Sequence, residues 1–161
     1  MYSVLDRTVG VLKEQLDKYA IKNGFKGLTS MQSDQISEKA PYPIIAIDVI
    51  DPFIQIGYTP DYPNFNMRIQ LKAESDDLVE FHNLLEYLRR LFFLQLPSQE
   101  MTSKHVYPQS EDVLAITKDY EENITVYTGG IDLLVTVVDD QPDYTEDGQM
   151  DTVTTNFRKD G

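Results

Sequence analysis

Along residues 4–22, Leu5, Val9, Leu12, Leu16 and Tyr19 recur at steps of four, three, four and three, which predicts an amphipathic helix about 28 Å long. Ser3 precedes it as a capping hydroxyl, with the Asp6 carboxylate in the first turn, and Asn23-Gly24 offers a left-handed stop. From Phe25 to Ala40 no period is visible, and the serines and Gly27 read as a linker or mobile loop. The β-branched run Ile44-Ile45-Ala46-Ile47-Asp48-Val49-Ile50, closed by Asp51-Pro52, predicts a central strand buried on both faces. Phe65, Met67, Ile69 and Leu71 alternate with Asn66, Arg68, Gln70 and Lys72, the two-residue period of a strand with one wet face.

A second helix starts at a Ser75 or Asp76 cap and carries Leu78, Phe81, Leu85, Leu88 and Phe92 on one side. Leu84, Leu91, Phe93, Leu94 and Leu96 widen its apolar surface until Pro97, which is expected to end it. Residues 98–123 read as irregular apart from a short strand at Val113–Ile116. Ile124–Tyr127 and Ile131–Val138 then read as two strands of a hairpin turning through Thr128-Gly129-Gly130. Helices do not alternate with the strands, so the expected fold is α+β: a mainly antiparallel β-sheet with two principal helices packed on one face. Residues 1–138 make one domain, and 139–161 an acidic tail expected to be flexible.

Charge adds to this picture. The 161 residues carry 14 Lys and Arg against 27 Asp and Glu, a net charge of −13. Residues 1–110 hold 11 basic and 14 acidic side chains, whereas 111–161 hold 3 and 13. So acidic a surface repels phosphate backbones and argues against specific nucleic-acid binding. The absence of cysteine removes disulfides and thiolate metal sites. No signal peptide or membrane-spanning run is legible, and a cytosolic site of synthesis is expected.

Candidate chemistry is sparse. His82 and His105 belong to no nucleophile motif and read as surface or packing residues. Asp143 to Asp151 spaces oxygen ligands like a calcium loop, but Thr154 stands where a bidentate glutamate is needed. Gly129-Gly130 lacks the following helix that a phosphate loop requires. No catalytic residue, metal or cofactor is therefore expected. The more informative residues are Tyr58 and Tyr62 in a proline-stiffened loop, which present large apolar area at low entropic cost. Arg68, Lys72, Arg89 and Arg90 are basic groups suited to meet acids such as Asp139 and Asp140 of a neighbouring copy.

The N-terminal amphipathic helix, an Ile-rich strand entered through Tyr42-Pro43, an amphipathic strand, a helix containing Leu84-Leu85-Glu86-Tyr87-Leu88 and a closing hairpin together resemble the tail terminator, or tail-completion, proteins of tailed bacteriophages. The likeness spans about residues 3–138 and lies in size, order and character. It implies a virion protein of the tail or neck that forms a ring, commonly of six copies, on the last ring of the tail tube. Such a ring stops tube growth, offers the surface to which the head connector binds and lets DNA pass. A head-side connector or stopper, a small cytosolic protein-binding module and, least favoured, a hydrolase with scattered carboxylates are the alternatives.

Overall fold

The computed structural model describes residues 3–56 and 64–138. Helix α1 (Val4–Ala20) begins where Ser3 Oγ accepts a hydrogen bond from the Asp6 amide. It continues as a 3-10 turn over Ile21–Asn23 and stops at Gly24, whose φ of 90° is left-handed. Its buried face carries Val4, Val9, Leu12 and Leu16, with Leu5 and Tyr19 packed at the margin.

Helix α2 (Leu78–Leu91) is capped by Asp77, one residue beyond the expected position, because that carboxylate accepts from the amides of both Val79 and Glu80. Ser75 supports the turn, accepting from the Asp77 amide and donating to the Glu80 carboxylate. The buried stripe is Phe81, Leu84, Leu88 and Leu91, whereas Leu78 is exposed.

Pro97 does not end this helix. The chain turns at Phe92–Leu94 and enters a third helix, α3 (Gln95–Ser103), with Pro97 in its first turn, where a missing amide hydrogen costs no helical bond.

The sheet has six strands: β1 (Thr29–Gln32), β2 (Ile44–Gln55), β3 (Asn64–Ser75), β4 (Val106–Val113), β5 (Thr117–Glu121) and β6 (Ile124–Val138). They lie in the order β1-β2-β3-β6-β4, with β5 pairing with β6 as well. Only the β1–β2 pair is parallel, so the fold is α+β with a mainly antiparallel sheet.

Four readings change. The segment expected to be a loop over 25–40 contains β1, which pairs Thr29–Gln32 with Ile44–Ile47. Strand β2 runs through Asp51-Pro52 instead of closing there. Among the described residues β1 pairs with it only as far as Ile47, and its register with β3 shifts twice around Pro52, so the missing amide falls at an irregular stretch. Residues 98–123 are ordered as α3, β4 and β5, while Leu114–Ile116 is not a strand.

The hairpin turn is displaced too. Thr128-Gly129-Gly130 lies inside the single strand β6, and the turn is Glu122-Asn123, with φ of 44° and 72°. Two consecutive positive φ values match the twist of the flanking strands. Gly130 serves a close approach: with φ of 140°, a Cβ there would meet the Leu71 carbonyl oxygen at 1.9 Å.

The core lies between the helices and one face of the sheet. Ile45 and Ile47, then Met67, Ile69 and Leu71, then Leu133, Val135 and Val137 point into it beside Leu12, Leu16, Phe81 and Leu88. Fully burying each such side chain contributes about 1.5–3 kcal/mol. Two polar contacts tie the helices together: the Tyr87 hydroxyl donates to the Leu16 carbonyl at 2.6 Å, and Glu100 of α3 accepts from Gln15, Lys18 and Tyr19 of α1.

Candidate functional site

The helices cover one face of the sheet and leave the other to the chain segment 33–42 and to β5. Alternation along β3 sends Arg68, Gln70, Lys72 and Glu74 to this open side. Between Tyr42 and β3 lies a groove of about 580 Å³, and a neighbouring depression of about 390 Å³ extends it toward Asp119, Glu121 and Thr128. Burial, with Glu74 and Glu121 close by, holds the Tyr42 hydroxyl above its ordinary pKa. The two cations that β3 sends to this side are engaged within the chain: Arg68 pairs with Asp51 at 3.3 Å and Lys72 with Glu74 at 3.5 Å. Exposed pairs of this kind contribute about 0–1 kcal/mol.

Carboxylates stand on both sides of the sheet: Glu74 and Glu121 line the groove beside Tyr42. Asp112 and Asp132 lie opposite each other on β4 and β6, facing the open side. Glu111, one residue before, stands opposite Leu133 and so faces the helix side, where burial raises its pKa against the opposing influence of Arg89. General acid–base chemistry needs both groups within hydrogen-bond reach of one substrate, so Glu111 does not share a substrate with Asp112 and Asp132 across the sheet. Among the described residues no three His, Cys, Asp or Glu side chains gather as a metal set, and no helix is long and apolar enough to cross a membrane. His82 is exposed on α2, and His105 occupies a left-handed position, φ 62°, in the turn before β4. The two histidines belong to separate elements and share no site.

Of the residues singled out from sequence, Tyr58, Tyr62, Asp139 and Asp140 lie outside the described residues, as do the calcium-like segment and the acidic tail. The structure divides the other four between two faces. Arg68 and Lys72 stand on the open side of the sheet, whereas Arg89 and Arg90 lie on α2, which covers the opposite side. Arg89 pairs with Glu86 at 3.0 Å, and among the described residues no acid pairs with Arg90. The four therefore do not form one basic surface.

Two surfaces escaped the sequence reading in whole or in part. The first is the β5–β6 hairpin. Ala115 to Ile124 are all exposed, and Tyr120, at 73% exposure, and Ile124 carry apolar area among Asp119, Glu121 and Glu122. The exposed apolar residues give little sequence signal, because a short polar strand with one tyrosine resembles a loop.

The second surface lies where α1 and α2 end. Phe93, Leu94 and Leu96 are 44%, 44% and 61% exposed, beside a cleft of about 380 Å³ lined by Asn23, Phe25, Glu86, Tyr87, Arg90 and Leu94. Its sequence signal was the apolar excess after Leu91. Compared with known protein families and with curated proteins, the chain matches none.

Proposed function

We propose that this chain is an assembly protein of a bacteriophage tail or neck, a terminator-like subunit that closes into a ring on the end of the tail tube and offers a surface for head attachment. The observation that carries this reading is the pair of exposed apolar surfaces at different places on one domain, one set among acids and the other among bases. A monomer rarely leaves contiguous apolar area exposed without a partner for it. Two different surfaces on one chain are what a head-to-tail ring requires. The resemblance in element order supplies the more specific role. The net charge of −13 suits it as well, because an acidic lumen does not hold passing DNA.

Light scattering of the purified protein, alone and with isolated tail tubes, tests the proposal. The expected result is a multi-chain species, six copies by the resemblance, and tubes that are capped and competent to accept heads. Binding to isolated portal complexes in place of tubes would move the role to a head-side connector. A chain that stays monomeric in both mixtures, and caps nothing, would overturn the ring in favour of a small protein-binding module.

A further inference from the structure

We infer that the acidic β5–β6 hairpin of one copy docks into the basic cleft at the ends of α1 and α2 of the next copy, and that this contact builds the oligomer. The inference rests on the self-assembly proposed above and names the surfaces that perform it.

The hairpin extends past the end of β3. β3 ends its pairing with β6 at Ser75↔Tyr127, so among the described residues those of β6 before Tyr127 pair with β5 alone, while Asp119, Glu121 and Val126 line the depression beside Tyr42. Its base is anchored, with Tyr127 stacked on Phe81 at 5.9 Å and Gly129 closely backed by Phe81 and Leu85. Its tip is the Glu122-Asn123 turn, and every residue from Thr117 to Ile124 is exposed. Tyr120 is 73% and Ile124 42% exposed there.

The cleft lies at the other end of α2, a helix about 21 Å long by its 14 residues. Phe25 and Tyr87, with ring centroids 5.3 Å apart, form its floor, and Leu94 and Arg90 form part of its wall. Its volume of about 380 Å³ falls within the usual range of pockets that accept side-chain-sized apolar groups.

Charge selects the occupant. The hairpin, residues 117–128, contains three acids, Asp119, Glu121 and Glu122, against Lys118 alone. The cleft is lined by Glu86 as well as Arg90, but Glu86 pairs with Arg89, and Arg90 in the lining, with Lys22 and Lys26 next to Asn23 and Phe25 in the chain, is exposed with no acid pairing among the described residues. The hairpin leaves its domain at the end of β3, where α2 begins, so it extends from the end opposite its own cleft. The complement is the cleft of a second copy, and a contact between two different patches is head-to-tail.

The test uses two variants of the full chain, one altered in the hairpin (Tyr120→Ala with Glu121→Lys) and one in the cleft (Arg90→Glu with Leu94→Ser). Each is expected to fall from the multi-chain mass of the wild type to the mass of one chain. Mixed in equal amounts, they are expected to give a species of two chains and nothing larger, because the mixture holds one intact hairpin and one intact cleft. All the altered side chains are exposed, so circular dichroism and melting should match the wild type.

Because the chain has no cysteine, an independent measurement is clean. Tyr120→Cys and Leu94→Cys proteins, mixed and joined with a short bifunctional thiol reagent, should cross-link to each other and not each to itself. Variants that keep the wild-type mass, or a mixture that stays monomeric and fails to cross-link, would overturn this contact while leaving the ring reading in place. A wild-type chain that is monomeric with and without tubes would overturn both.

Discussion

Ile69 shows how strictly one position can be determined. It is fully buried in the middle of β3, opposite Val49 on one side and Leu133 on the other. Ile69→Asp places an unpaired carboxylate among aliphatic side chains, at a cost of several kcal/mol, of the order of a domain's whole stability. The variant is expected to lose its cooperative melting transition in calorimetry.

Glu100 is a residue of another kind, exposed in part but surrounded by donors. Hydrogen bonds from Lys18, Tyr19 and Gln15 hold its carboxyl at about 2, against an ordinary value of 4.5. A carboxyl whose folded pKa is depressed stabilises the fold above its unfolded pKa, and that contribution disappears as pH falls toward the folded value. The wild type should therefore be more stable than Glu100→Gln at neutral pH, and the gap should close between about pH 4.5 and about pH 2. Urea titrations at a series of pH values measure it; a gap that widens on acidification would show that the contact does not act through the ionised carboxylate.

Among the elements, β6 has the widest structural role. Over fifteen residues it pairs with β3 along one edge and with β4 and then β5 along the other. The handover between β4 and β5 falls at Gly129-Gly130, and the Leu114 amide closes it by bonding to the Gly130 carbonyl at 2.9 Å. A side chain at Gly130 would collide with the backbone of β3 and would also hold an unfavourable φ. Gly130→Ala is expected to destabilise the domain by about 3 kcal/mol or more, since backbone strain and a clash with an unyielding neighbour add. Thermal denaturation checks this, and a loss within about 0.5 kcal/mol, the range of an ordinary surface substitution, would mean that the strand crosses β3 differently.

For the whole molecule, the distribution of charge matters more than its total. On β4, β5, β6 and the turn at Glu122-Asn123 acids outnumber bases, with Glu111, Asp112, Asp119, Glu121, Glu122 and Asp132 against Lys118, whereas Lys22, Lys26 and Arg90, which pair with no acid among the described residues, lie at the ends of α1 and α2. If association joins these regions, raising salt from low to physiological levels should shift the scattering mass downward, because the screening length shrinks to about 8 Å at physiological ionic strength. Arg68→Glu with Lys72→Glu changes cations already paired within the chain and is expected to affect mass less than Arg90→Glu. The opposite order would assign the contact to the open face of the sheet.

Strict periodicity made much of this architecture legible from sequence. The 3.6-residue stripe of α1 and the two-residue alternation of β3 each identify a buried face, because removing apolar area from water is the strongest force favouring folding and acts locally along an amphipathic element. Cap chemistry placed Ser3 and Gly24 for the same local reason. What the tertiary structure decided lacks a local signature. Thr29–Gln32 becomes a strand because β2 offers it a parallel edge, Pro97 opens a helix because the chain has already turned at Phe92, and β6 runs on through two glycines, at the second of which β3 passes too close for any other residue. The same holds for the surfaces. Arg68 and Arg90 look equivalent as basic residues along the chain, and only the β2–β3 register sets one against Asp51, while the packing of α2 leaves the other at the rim of an apolar cleft. Local pattern specifies which side of an element is buried, whereas the choice among edges, turns and neighbours depends on contacts between residues far apart in the chain.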